Sequence, residues 1–246
     1  MLDEVADGVH RIEHAYVNVY LVVDGDGVLL VDTGLPGAWY EIGSAIRRLG
    51  RRPADVVGVV LTHAHFDHTG CAARLQETLG VPLWLHPADE HLAAHPYSYA
   101  HERPRAAYPL RHPRAVPILG AVARAGALRV PGIRGTQPLD PAATLPLPGS
   151  PRVVFAPGHT SGSCALHLAD RDALLTGDAL VTLDPYTAGD GPQVVAGAAT
   201  ADSALALASL DALAATHAST VLPGHGAPWF DGIESAVEHA RAVGAH

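Results

Sequence analysis

The sequence predicts an α/β fold in which two mixed β-sheets pack face to face with helices outside. Two observations carry this expectation. Strand-like and helix-like runs alternate along the chain, and each half supplies its sheet first and its helices afterwards. The apolar runs are short and β-branched, Val56–Leu61 most of all, as befits strands buried on both faces.

Val17–Val23 and Val28–Val31 read as strands joined by the turn Asp24-Gly25-Asp26-Gly27, a hairpin signal. Ala38–Leu49 has helical spacing and stops at Gly50. Val56–Leu61 is the next strand, Thr69–Leu79 a helix ending at Gly80, and Val81–Leu85 a further short strand. In the second half, Arg152–Ala156, Ser163–Leu168 and Ala173–Thr176 read as three successive strands. Asp202–Thr216 reads as a long amphipathic helix, Thr220–Leu222 as a strand and Gly232–Val243 as a terminal helix. Between the halves, from about 95 to 149, lies a stretch rich in proline, with three tyrosines and the tightest basic cluster. Within it Val116–Leu128 has helical character. A segment this long inside a compact domain is usually functional or disordered, so the expectation is one domain over 1–246 with 95–149 inserted as a lid.

Composition narrows the partners. Sixteen basic residues, every one of them Arg, face 25 acidic ones, for a formal net charge of −9. Such a chain repels a phosphate backbone, which disfavours nucleic acid. With no Lys, no lysine nucleophile or Schiff base is available. The start, Met1-Leu2-Asp3-Glu4, lacks a signal-peptide profile, and no apolar run reaches the length of a membrane span. Cys71 and Cys164 lie far apart and read as small buried residues. The expectation is a cytoplasmic protein, monomer or homodimer, acting on a small molecule.

The chemistry concentrates after the Val56–Leu61 strand. His63, His65, Asp67 and His68 crowd into six residues at the carboxyl end of a strand, where α/β folds place their sites. Alternate residues of an extended chain project to one side, so His63 and His65 can reach one point while Asp67 and His68 face another. Imidazole and carboxylate are good zinc or iron ligands. Three further ligand-type residues follow strand-like runs, each directly after a glycine: His159, Asp178 and His225. One such residue alone reads as a turn cap; four punctuated positions together read as one metal site.

These residues resemble the signature of the metallo-β-lactamase superfamily, H-x-H-x-D-H followed by separate His, Asp and His positions. The likeness runs from Asp32-Thr33-Gly34 to Gly224-His225-Gly226. It implies an αβ/βα four-layer sandwich with two metal ions at one edge of the paired sheets. By position, His63, His65 and His159 match the ligands of one ion, Asp67, His68 and His225 those of the other, and Asp178 the carboxylate shared by both. Asp32 matches a carboxylate that supports the ligands from behind. The implied cofactors are two zinc ions per chain, with iron or manganese as substitutes. The implied reaction is hydrolysis by a hydroxide bridging the two ions, with Asp67 also the proton acceptor.

Within the superfamily, the Pro157–Ser163 motif and Asp178 look like the glyoxalase II branch. The missing lysines and the short run after His225 speak against a glutathione thioester, leaving an ester, lactone or other thioester. Asp178 speaks against a true β-lactamase. Lactonases of this family place a tyrosine after the shared Asp, and Tyr186 is a loose match. Substrate contacts are expected from Tyr108, Tyr186, Arg103, Arg105 and Arg111, the arginines attracting an anionic substrate. The alternatives are a mononuclear-iron oxidoreductase like the persulfide dioxygenases, or a metal-bound scaffold that binds a ligand without turnover.

Overall fold

In the computed structural model, which describes residues 2–246, the first sheet grows from the amino end. Strands β1 (Leu2–Ala6), β2 (Val9–His14), β3 (Val17–Asp24) and β4 (Gly27–Val31) run antiparallel. Helix α1 (Trp39–Arg48) then carries the chain back to β5 (Val56–Val60), which is parallel to β4. The short helix α2 (Phe66–Thr69) and α3 (Ala72–Leu79) lead to β6 (Leu83–Leu85). Next come α4 (Glu90–Ala94), α5 (Tyr108–Arg111), α6 (Val116–Arg124) and β7 (Gln137–Pro138), which closes the seven-stranded sheet. The second sheet has the order β13-β10-β9-β8, built from β8 (Arg152–Phe155), β9 (Cys164–Leu168), β10 (Ala173–Gly177) and β13 (Thr220–Pro223). A hairpin of β11 (Val181–Leu183) and β12 (Asp190–Gln193) lies between, and α7 (Ser203–Ala214) and α8 (Ile233–Val243) complete the half.

Alternation along the strands sets the layers. In β4, Val28 and Leu30 pack with Ile42 and Ile46 of α1 and Leu75 of α3, whereas Leu29 and Val31 face the other way. There they meet Val153 of β8, Leu166 and Leu168 of β9, and Leu175 of β10. On the far side, Leu174 and Val221 pack with Leu210 and Leu213 of α7 and Val237 of α8. The layers are helix, sheet, sheet, helix, as the sequence predicts. Both faces of the central strands are covered, which explains their continuous apolar runs.

Several elements depart from expectation. Residues 2–14 carry no predicted strand yet form β1 and β2; Val9 packs into the core between the sheets and Ile12, on the opposite face, into the core beneath α1, while His10 and Arg11 remain half-exposed. The expected helix Thr69–Leu79 begins only at Ala72. Gly70 N donates to Gly34 O at 2.7 Å, so the backbone leaves helical pairing to meet the loop after β4. Helix α7 buries one face through Ser203, Ala206, Leu210 and Leu213, but Leu205 on the opposite side is exposed, so it is less amphipathic than predicted. The segment 95–149 is not structureless: it holds α5, α6 and β7. Cys71 and Cys164 are buried free thiols, as expected, and burial pushes each up to about 12. No helix among the described residues is long and apolar enough to cross a membrane.

Candidate metal centre

The two sheets meet at one edge, and the predicted ligands come from both. Backbone hydrogen bonds fasten the edge: Cys164 N donates to Thr62 O at 2.9 Å, and Asn18 N to Gly224 O at 2.8 Å. His63, His65, Asp67 and His68 follow β5 in the first sheet. His159 follows β8, Asp178 follows β10 and His225 follows β13, all in the second. Seven residues separated by up to 162 positions therefore converge. One ligand atom each from His63, His65 and His159 lies within 4.8 Å of the other two. The same holds for His63, His68 and Asp178, and for Asp67, His68 and His225. Asp178 is central, with the Nε2 atoms of His68, His159 and His225 at 3.4, 3.5 and 3.2 Å and that of His63 at 3.9 Å.

Hydrogen bonds behind the ligands decide which ring nitrogen faces the centre. His68 Nδ1 sits 2.9 Å from Asp32 Oδ2, an acceptor only, so Nδ1 carries the hydrogen. His225 Nδ1 faces the Tyr16 carbonyl at 2.7 Å with the same result. Thr62 gives its single hydroxyl hydrogen to Asp32 at 2.8 Å, so its oxygen must accept from His63 Nδ1 at 3.0 Å. Thr200 gives its hydrogen to Val195 O at 2.6 Å and likewise accepts from His159 Nδ1 at 3.3 Å. In all four rings Nδ1 thus carries its hydrogen outward and Nε2 is the nitrogen turned inward, open to a proton or a metal ion. These four Nε2 atoms, that of His65, and Asp178 Oδ1 are buried without a hydrogen-bond partner. Unpaired buried acceptors each cost about 1–3 kcal/mol. Five inward imidazole nitrogens around two carboxylates are instead the donor set that a divalent cation takes.

The electrostatics point the same way. Burial and crowding by neighbouring histidines hold His63 and His65 well below the ordinary imidazole range, and burial takes His159 to about 4. For His68 and His225 burial opposes protonation, but Asp178 with Asp32 or Asp67 outweighs it; His68 rises well above its usual value and His225 to about 10. Burial would raise Asp67, yet His225 brings it to about 2, and Asp178 is held low by His225 and His68. The two carboxylates thus stay ionised and draw positive charge to the cluster, where a proton and a metal ion compete for the same Nε2 atoms.

Glycine is required at the strand ends. Gly177 has φ +51, and a Cβ there would stand 2.6 Å from Thr62 Cβ, in the middle of the Asp32–Thr62–His63 relay. Asp32 itself takes a left-handed conformation, φ +58, which aims its carboxylate back at Thr62 and His68.

A small cavity of about 10 Å³ reaches the cluster between Phe66, Asp67, Tyr99, Pro185, Tyr186, Val195 and Ala199. It adjoins, through His65, Tyr99 and His159, a channel of about 170 Å³ that also includes His91, Ser98 and Ser161. A larger cleft of about 470 Å³, between α4 and residues 133–136, shares only His91 with the channel and lies away from the ligands.

Of the expected substrate contacts, Tyr186 faces the metal cavity. Tyr108 does not: it is buried against Ala196 and Ala198, and its hydroxyl donates to His246 O at 3.3 Å. Arg103, Arg105 and Arg111 line neither the cavity nor the channel. Arg105 lies 3.7 Å above the Tyr99 ring and donates to the carbonyls of Tyr99 and Ala198. Tyr99, which sequence reading placed only within the basic cluster, packs on the His65 ring with centroids 4.6 Å apart and shares a 3.3 Å hydrogen bond with the Tyr186 hydroxyl. Sequence reading also missed Asp89, a carboxylate after the β6 strand, although the strand-end rule that found the other carboxylates applies to it as well.

This fold and this donor set define a class. The chain belongs to the metallo-β-lactamase superfamily, whose model matches residues 13–225. It is similar to the probable metallo-hydrolase YflN of Bacillus subtilis (strain 168), 28% identical over 242 residues that cover 92% of this chain and 86% of that protein. Among solved structures, the metallo-beta-lactamase family protein TTHA1429 from Thermus thermophilus aligns with a TM-score of 0.70 at 28% identity, covering 96% of this chain and 79% of that one. TTHA1623, solved in a di-iron-bound form, aligns at 0.62 and 27% identity over 92% of this chain and 95% of that one.

Proposed function

We propose that the protein is a two-metal hydrolase that cleaves the acyl C–O or C–S bond of a small ester, lactone or thioester by attack at its carbonyl carbon. The observation that supports this most is the set of inward-facing, unpaired Nε2 atoms gathered on Asp178. His63, His65 and His159 would hold one ion, and Asp67, His68 and His225 the other, with Asp178 shared between them. Two zinc ions bound there would supply Lewis acidity and a water acidic enough to serve as nucleophile near neutral pH. Asp67, 3.3 Å from His225 Nε2 and facing the cavity, is placed to take a proton during the reaction. The hydrogen-bonded Tyr99–Tyr186 pair borders the same cavity, and the hydroxyl not donating within the pair can donate to a substrate oxygen, while Phe66, Pro185, Val195 and Ala199 supply apolar wall. With no arginine in the channel, hydrogen bonding rather than a guanidinium clamp orients the substrate.

The test is a panel of lactones, thioesters and esters assayed with and without chelator, on wild type beside Asp67→Ala. Chelator-sensitive turnover that falls at least about a hundredfold in the variant is expected. No turnover on any of them, or an unchanged rate in Asp67→Ala, refutes the proposal. The di-iron form of TTHA1623 makes iron the competing metal. Metal analysis of protein purified without added metal separates the readings: two ions favour hydrolysis, a single iron the oxidative alternative.

A further inference from the structure

One buried carboxylate takes no part in the ligand set. Asp89 ends the short turn Pro87–Asp89 after β6 and is only 2% exposed. Its Oδ2 accepts from Ala64 N at 3.0 Å and from the Thr160 hydroxyl at 2.7 Å, and its Oδ1 accepts from Gly162 N at 2.8 Å. Ala64 lies between His63 and His65, and Thr160 directly follows His159. One side chain thus ties together the two loops that bear the three-histidine half of the centre. The site is built for it: a Cβ on Gly162 would stand 2.7 Å from the Asp89 carboxyl carbon. The Thr160 hydroxyl, having given its hydrogen to Asp89, accepts from Ser163 Oγ at 2.8 Å, which extends the brace along the same loop. No salt bridge neutralises Asp89 among the described residues, and burial pushes its pKa up against these hydrogen bonds. A buried, unpaired carboxylate is a costly way to hold two loops unless positive charge resides nearby.

We infer that Asp89 is a positioning residue of the His63/His65/His159 half alone, whereas Asp32 serves both halves, His68 directly and His63 through Thr62. Asp32 reaches a ligand ring directly, through His68 Nδ1. Asp89 touches no ring; it fixes the peptide between His63 and His65 and the residue beside His159, so its effect is on where those rings stand. This division of labour rests on the two-metal reading above.

The test is a zinc titration of the full chain against a chromophoric chelator, with circular dichroism as the check on folding. Wild type should bind two equivalents. Asp89→Asn should bind one of them about 10–100-fold more weakly, the size expected when an outer partner of a metal site is lost. A double-mutant cycle assigns that equivalent. In an Asp67→Ala background, which cripples the other half, Asp89→Asn should weaken the remaining equivalent by the full factor. In a His65→Ala background it should add little. Equal weakening in both backgrounds, or two wild-type equivalents in Asp89→Asn, overturns the inference while leaving the two-metal reading intact. A wild type that binds no zinc overturns both. Should Asp89→Asn fail to fold, Thr160→Val removes one of the three hydrogen bonds. It must then show a smaller loss confined to the same half, and its absence overturns the inference equally.

Discussion

Gly224→Ala should disable the centre without unfolding the chain. Gly224 lies just after β13 and immediately before His225, and a methyl group there would overlap Asp178 Oδ1 and stand 2.8 Å from His68 Cε1. Ordinary contact begins at 3.4 Å, so the His68 ring would retreat by about 0.6 Å and the Asp178 carboxylate by more. The backbone cannot yield instead. Gly224 N donates to Gly177 O and Gly224 O accepts from Asn18 N, both at 2.8 Å, while Asn18 Nδ2 holds the preceding carbonyl of Pro223 at 2.8 Å. Catalytic sites tolerate displacements of about 0.5 Å, and misplacement by about 1 Å costs roughly a hundredfold. The expected loss in kcat/KM is therefore about a hundredfold or more, on the order of 2.7 kcal/mol. Steady-state rates on whichever ester or lactone the wild type cleaves, with metal content measured on the same samples, provide the assay. Gly120→Ala is the control, because that site in α6 has nothing closer than Arg124 Nη1 at 3.7 Å. It should leave turnover unchanged. Gly224→Ala protein that retains its full metal content and turns over within about threefold of wild type would refute the step from crowding at Gly224 to lost catalysis.

Two further outcomes follow from the loops around the cavity. Arg105→Ala should lower kcat/KM by about five- to thirtyfold, the equivalent of 1–2 kcal/mol for a lost cation–π contact and its hydrogen bonds, whereas Arg111→Ala stays within about twofold. Steady-state kinetics on both variants check this, and the reverse order would show that Arg111 reaches the substrate. His246 Nε2 meets Asp184 Oδ2 at 3.0 Å, and that hydrogen bond raises the imidazole pKa. The protonated ring is the stabilising form, so its contribution is complete below about pH 6.5 and fades as pH rises through the raised value. The Tm difference between wild type and His246→Ala should shrink from about pH 6 to about pH 9; a widening gap would contradict it.

Much of the fold was legible because its strands are covered on both faces. Val56–Leu61 needs no alternation to be read as β5, and the two-layer packing of Leu29 and Leu30 on opposite faces bears out the sandwich. The ligands could be found because each follows a strand and a turn, so local pattern alone marks His63, His159, Asp178 and His225. What stayed hidden depends on distant atoms. Asp89 is recognised by Ala64, Thr160 and Gly162, which lie 25, 71 and 73 residues away. Tyr99 becomes a cavity wall only because Arg105, His65 and Tyr186 surround it. Sequence placed the arginines of the inserted segment near the site but carried no information on their direction, and the guanidinium of Arg105 turns to a tyrosine ring and two carbonyls. The break before α3 was invisible for the same reason, since Gly34 supplies it from another loop.

The convergence of ligands from both sheets has a mechanical meaning. β5 belongs to one sheet and β8, β10 and β13 to the other, so any ion held by His63, His65 and His159, or by His68 and His225, would rivet the two slabs together along their shared rim. Such a rivet closes loops of up to 158 residues, the span from Asp67 to His225, and loop closure of that length is where a cross-link restrains an unfolded chain most. Catalytic readiness and resistance to the sheets sliding apart would then rise and fall together with the supply of metal.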